Sequence, residues 1–244
     1  MPLRVLDLFS GIGAFSLGLE RAGMLTVAFC ECDPYARRVL AKHWPEVPCY
    51  DDVRTLTADR LEADGISVDV ICGGFPCTDI SRASPTKSGL DGERSGLWRE
   101  FARLIRELRP RYALVENVAA ILDDGMGAVL RDLSESGYDA EWSVVSACSL
   151  GAPHMRQRVF VVAYPNGEHG WTGLRHTASQ SQRALQAIDH LARSRAGWAA
   201  WMEDPSALYG GADGVAFGMD RNRAVGNSLV PQIPEMIGRA ICRE

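Results

Sequence analysis

Val5-Leu6-Asp7-Leu8-Phe9-Ser10-Gly11-Ile12-Gly13 opens the chain with an apolar strand that breaks on two glycines. Ala14 to Ala22 follows as a helix with Phe15, Leu17 and Leu19 among its apolar positions. Strand, glycine turn and helix in that order make the first unit of a doubly wound sheet, where a ligand lies beyond the carboxyl ends of the strands. The alternation then repeats. Thr26 to Cys30 reads as a strand, and Pro34 to His43 as a helix with proline in its first turn. Val68 to Cys72 is a strand and Leu97 to Leu108 a helix. Tyr112 to Glu116 is a strand, Gly127 to Ser136 a helix, and Trp142 to Ala147 and Arg158 to Tyr164 are further strands. The predicted fold class is α/β, a mainly parallel, doubly wound sheet with helices on both faces.

The pattern changes after Tyr164. Residues 165–221 are rich in Gly, Ser, Gln, Arg, His and Trp and read as a small irregular region. Order returns from Asn222, and Pro231-Gln232-Ile233-Pro234-Glu235-Met236-Ile237 leads into a closing helix. The expected organisation is a catalytic and cofactor-binding domain over 1–164, a short second region over 165–221, and a segment over 222–244 that returns to the first domain.

With 244 residues and 46% hydrophobic content the chain can bury a full core. No apolar run approaches bilayer length, and Met1-Pro2-Leu3-Arg4-Val5 passes straight into a strand, so neither a signal peptide nor a membrane anchor is expected. Seven scattered cysteines without CxxC spacing argue against zinc and against a disulfide framework. A reducing cytoplasm is the natural setting, and no metal is expected. The net charge of -5 disfavours a general polyanion binder. Residues 151–244 nevertheless carry ten arginines, no lysine and eight acids. Arginine's planar fork suits phosphate and guanine, which says where nucleic acid would touch if it binds.

A second glycine turn carries the chemistry. Val68-Asp69-Val70-Ile71-Cys72 runs into Gly73-Gly74-Phe75-Pro76-Cys77. Two glycines and a proline ahead of a cysteine are an arrangement for displaying a thiol rather than burying it. An isolated free cysteine is usually a small core residue, and the other six read that way. Glu116 ends a predicted strand and heads Glu116-Asn117-Val118, where it can reach the same crevice. Taken alone it reads as well as a capping or edge carboxylate. Arg156 and Arg158 lie two apart in Pro153-His154-Met155-Arg156-Gln157-Arg158-Val159-Phe160, a spacing that points both to one face of an extended segment. Near the first turn, Glu31 ends the second strand 24 residues beyond Asp7 and can accept from ribose hydroxyls. A dinucleotide site is a competitor there, although the third glycine of GxGxxG is missing.

Together and in this order, these motifs resemble the DNA (cytosine-5) methyltransferases. The resemblance covers most of 3–164 and 219–241. It implies the Rossmann-like fold of enzymes that use S-adenosylmethionine, with the irregular region reading the DNA target. Asp7-Leu8-Phe9-Ser10-Gly11-Ile12-Gly13 then becomes the cofactor motif, with Phe9 on the adenine and Ser10, Gly11, Ile12 and Gly13 beside the methionine portion. Glu31 would hold the ribose, and Asp52 with Val53 would meet the adenine amino group. Cys32 stands where an aromatic is common. Pro76, Leu97, Asn227 and Ser228 complete the implied pocket. Cys77 would add to C6 of a flipped cytosine, Glu116 would act at N3, Arg156 would hold the base, and Arg158 would support loop and acid. The segment after Cys77 would close over double-stranded DNA through Ser81, Arg82, Lys87 and Arg94, with Arg175 and Arg183 reaching from the irregular region. His154 and Thr78 both stand where glutamine is usual.

The short 165–221 region leads us to expect a short or degenerate target site, and a monomer. Three rival readings stay open: a transfer-RNA methyltransferase of the same fold, a catalytically silent relative, and a nicotinamide dehydrogenase. The dehydrogenase leaves Phe75-Pro76-Cys77 unexplained.

Overall fold

The structure, a computed structural model, describes residues 1–76, 96–123, 125–146, 156–166 and 229–242. The chain begins with β1 (Arg4–Leu8), α1 (Ala14–Arg21), β2 (Leu25–Cys30), α2 (Pro34–His43), β3 (Cys49–Tyr50), α3 (Ala58–Ala63) and β4 (Val70–Gly74). It continues with α4 (Leu97–Leu108), β5 (Tyr112–Val118), a 3-10 turn (Ala119–Leu122), α5 (Met126–Glu135), β6 (Tyr138–Ser146), β7 (Gln157–Pro165) and α6 (Gln232–Ile241).

The seven strands form one sheet in the order β3-β2-β1-β4-β5-β7-β6. The pairs from β3 to β5 are parallel, and only β7 runs against the rest. The mainly parallel sheet expected from the alternation is therefore present, with one reversed strand. That reversal matters for chemistry. It brings the start of β7 beside the end of β5, so that Arg158 is the partner of Val118.

Both faces of the sheet are covered. On one, Leu61 of α3, Trp98, Phe101 and Ile105 of α4, and Val129 and Leu133 of α5 pack with Leu6, Leu8, Ile71 and Val115. On the other, Phe15 and Leu19 of α1 meet Ile233, Ile237 and Ile241 of α6, together with Val5, Val70 and Leu114. The closing helix thus lies on α1.

Local signals explain the helix starts. Asp33 caps α2, accepting from the amides of Tyr35 (2.8 Å) and Ala36 (3.0 Å) ahead of Pro34. Thr57 caps α3 by accepting from Arg60 N–H at 3.2 Å. Among the described residues, no helix is long and apolar enough to cross a membrane, and no group of His, Cys, Asp or Glu is placed to hold a metal ion.

Candidate active site

The carboxyl ends of β1, β2, β4 and β5 lie along one edge of the sheet, and two clusters are built there. The first surrounds the glycine loop after β1. Ser10 ties that loop to β2: its hydroxyl donates to the Asp7 carbonyl (2.6 Å) and accepts from Cys30 N–H (3.3 Å). Glu31 then binds the loop itself. Its Oε2 accepts from Gly11 N–H at 2.7 Å, and its Oε1 accepts from Asp33 N–H at 2.8 Å. Each oxygen keeps a further lone pair for a ligand hydroxyl.

Gly11 adopts φ +52, and a Cβ built there would meet nothing within 4 Å, so the loop leaves open room beside its backbone. Phe9, also at positive φ, is half-buried and stacks on Phe101 at 6.5 Å and 23°. Asp52 is partly exposed, with Oδ1 accepting from the Arg54 amide at 2.9 Å. Cys32 is exposed, Ile12 and Leu97 are half-buried, and Val53 is buried in the core with only 5% exposure. These features fit a nucleoside ligand: a glycine cradle, a buried acid with spare acceptor capacity, and an accessible aromatic ring.

Asp7 lies beneath this loop rather than in it. Its carboxylate is 1% exposed and accepts from the Ser16 hydroxyl (2.8 Å) and the Ser16 amide (3.3 Å). Burial pushes its pKa up to about 7, against the opposing donors Ser16 and Cys72.

The second cluster joins β4, β5 and β7. Glu116, 13% exposed, accepts from Arg158 Nε at 2.8 Å. Burial raises the Glu116 pKa, while the charges of Arg158 and Arg156 and the Arg158 hydrogen bond pull it down. Arg156 is held below its ordinary range, first by burial and then by Arg158. Gly74 is the register partner of Glu116, and a Cβ on Gly74 would stand 2.5 Å from Glu116 Oε2. The glycine therefore gives the carboxylate its room. Phe75 is buried against Trp98, with ring centroids 5.3 Å apart, and its carbonyl accepts from Asn117 Nδ2 at 3.1 Å. The backbone leading to position 77 is thus anchored one strand away from Glu116, and Pro76 is half-buried.

The model of the C-5 cytosine-specific DNA methylase family matches residues 3–196. The chain belongs to that family. M2.BsuMI, a Type II methyltransferase of Bacillus subtilis, is 38% identical over 169 residues, 66% of this chain and 42% of its own length. M1.HphI of Haemophilus parahaemolyticus, another Type II methyltransferase, is 31% identical over 206 residues, 81% of this chain and 55% of its own. The crystal structure of a protein described as a DNA modification methyltransferase from an E. coli prophage superposes with TM-score 0.57 at 31% identity. It covers 67% of this chain and 47% of the other. The chain spans about half the length of the curated relatives it matches. The fold is the α/β methyltransferase fold that the motifs imply.

Of the predicted site residues, Glu116, Arg156 and Arg158 come together, as do Phe9, Ser10, Gly11, Gly13 and Glu31. Cys77, Ser81, Arg82, Lys87, Arg94, Arg175, Arg183, Asn227 and Ser228 lie outside the described residues. Sequence reasoning missed four supporting residues: Ser16, Cys72, Asn117 and Trp44. Trp44 closes the back of the loop at Gly13 and donates its indole N–H to Glu20 at 2.9 Å. Only Asn117 carried a signal, its place directly after Glu116.

Proposed function

We propose that this chain transfers a methyl group from S-adenosylmethionine to C5 of cytosine in double-stranded DNA, with Cys77 as nucleophile. The observation that carries this reading is the Glu116–Arg158–Arg156 cluster, packed on Gly74 at the root of the loop that leads to Cys77.

Cytosine C5 is a weak nucleophile. Addition of the Cys77 thiolate to C6 moves the C5–C6 π pair toward C5, provided N3 takes a proton or a hydrogen bond. Glu116 is suited to that task because burial biases it toward its protonated form. Arg158 fixes its orientation, and Arg156 adds positive charge beside the base. After C5 gains the methyl group, loss of the C5 proton lets the sulfur–C6 bond break and returns the thiolate.

When bound, S-adenosylmethionine supplies the electrophilic methyl group. Glu31 would hold its ribose, Phe9 its adenine and Asp52 the adenine amino group, with Pro76 and Leu97 beside it. Asn227 and Ser228 would close the pocket. Ser81, Arg82, Lys87 and Arg94 would close on the duplex, and Arg175 and Arg183 would contact the target region. The base must leave the stack before the thiol can reach it.

The test is transfer of labelled methyl to mixed-sequence duplex DNA and, in parallel, to RNA, by wild type and Cys77→Ala. Label in DNA that vanishes in the variant is the expected result. Label in RNA alone would move the substrate class, and label in DNA that survives Cys77→Ala would remove the nucleophile.

A further inference from the structure

Asp52 is partly exposed and shapes its own turn. Its Oδ1 accepts from the Arg54 amide at 2.9 Å and from Arg54 Nε at 3.2 Å. Its carbonyl accepts from the Thr55 amide at 3.1 Å and from the Thr55 hydroxyl at 3.0 Å. Bonds of this kind give a turn its form but do not fix its place on the protein.

The turn is tied to α4 instead. Arg103 donates from Nη2 to two backbone carbonyls of the segment after Asp52, those of Val53 at 3.0 Å and Leu56 at 2.8 Å. The guanidinium is itself aimed. Its Nε donates to Glu100 at 2.8 Å and its Nη1 to Glu107 at 2.8 Å, acids three positions before and four after on one helix face. The second oxygen of Glu107 accepts from the Ala58 amide at 3.1 Å, where α3 begins. Three backbone points between 53 and 58 thus meet one face of α4, and the Val53 and Leu56 side chains are buried. The same helix starts at Leu97 and stacks Phe101 on Phe9.

We infer that Arg103 is the positioning residue for adenine recognition: its fork on the Val53 and Leu56 carbonyls holds the Asp52 carboxylate where the adenine amino group donates to it. This rests on the cofactor reading above and adds to it the group that sets base selectivity. An amino group at C6 is a donor that a carboxylate accepts, whereas the C6 carbonyl of hypoxanthine meets it lone pair to lone pair. That preference depends on distance and aim, so a turn released from α4 keeps the acid but loses the discrimination. Lysine is no substitute, because one ammonium nitrogen cannot serve two carbonyls and two carboxylates that a planar fork meets with three nitrogens.

The experiment is isothermal titration calorimetry of the full chain with S-adenosylhomocysteine and with S-inosylhomocysteine, its 6-oxo counterpart. Wild type should prefer the adenosine ligand by roughly tenfold or more, and Asp52→Ala should remove most of that preference. Arg103→Lys should weaken the adenosine ligand roughly tenfold while leaving the inosine ligand within about threefold. In the Asp52→Ala background the same change should move the ratio by less than about twofold, since no acid is left to aim. Glu100→Gln is the milder route, keeping the arginine but slackening its aim, and should shift the ratio the same way by about threefold. Arg103→Lys and Glu100→Gln that weaken both ligands by one factor, or leave both unchanged, overturn the inference while the cofactor site stands. Wild type that binds neither ligand overturns the cofactor reading and the inference with it. Wild type that binds both alike, with Asp52→Ala without effect, removes Asp52 from the adenine and leaves Arg103 nothing to position.

Discussion

Asp7 at the end of β1 and Glu116 at the end of β5 are both buried acids at the same edge of the same sheet, yet their surroundings are opposite. Asp7 is held by a serine and a thiol, with another acid nearby. Glu116 is held by one arginine and lies in the field of a second. Desolvation raises both pKa values, so burial alone does not separate their roles. The partners do. An acid with its own cation is fixed in place, whereas one held, among the described residues, by neutral donors keeps more of the cost of its burial. The same edge thus carries one acid paired with a cation of the protein and one held by neutral donors.

The largest effect is expected on the arginine side. Glu116→Gln keeps the side chain's size but removes the proton donor, and should lower single-turnover methyl transfer by about a hundredfold to ten-thousandfold. Arg158→Met should reduce transfer as well and in addition cost about 3 kcal/mol in urea denaturation, because it leaves a buried carboxylate unpaired. Its pH profile should also move. Without Arg158 the Glu116 carboxyl stays protonated to higher pH, so residual activity persists further into the alkaline range. Glu116→Gln within threefold of wild type would break the comparison.

The next effect belongs to Asp7 and shows in stability. Its folded pKa of about 7 lies above the ordinary aspartate value. The advantage of the neutral form is fully present below about pH 4 and is lost as pH rises through about 7, where ionised Asp7 burdens the fold. The gap corresponds to about 4 kcal/mol at most. Asp7→Asn should therefore gain more thermal stability relative to wild type at pH 8 than at pH 5. A Tm difference that does not change between the two pH values would show that Asp7 has no special cost.

How much of this was legible in the sequence follows the range of the interactions. The strand–helix alternation depends on neighbours within a few residues, so β1 to α2 and α4 to β5 could be placed closely. The two-residue strand β3 and the one-and-a-half-turn helix α3 are too short to leave a periodic signature. β6 begins at Tyr138, earlier than Trp142, because its length is set by pairing with β7 rather than by its own pattern. The meeting of Glu116 with Arg158 was suggested by motif, but its cause is the reversal of β7. Asp7 was read as part of the first strand and of the cofactor motif. That it sits under the loop, held by Ser16 nine positions away and Cys72 on another strand, is a fact of tertiary packing.

Two glycines, one in each cluster, give the finest test. At Gly11 the backbone is the constraint, since φ is +52 while the space for a Cβ is open. At Gly74 the space is the constraint, since a Cβ would lie 2.5 Å from Glu116 Oε2, while the residue is not among those with positive φ. Gly11→Ala should cost about 1 kcal/mol of strain and weaken cofactor binding a few-fold, with kcat retained once the cofactor saturates. Gly74→Ala should leave cofactor affinity unchanged and lower kcat roughly tenfold. Arg158 grips Oε1 of Glu116, so the carboxylate cannot retreat as a unit. It must twist about that bond, and the acid loses its aim at the base. If Gly74→Ala instead altered cofactor affinity and spared kcat, the two clusters would not be separable, and the division between them would fail.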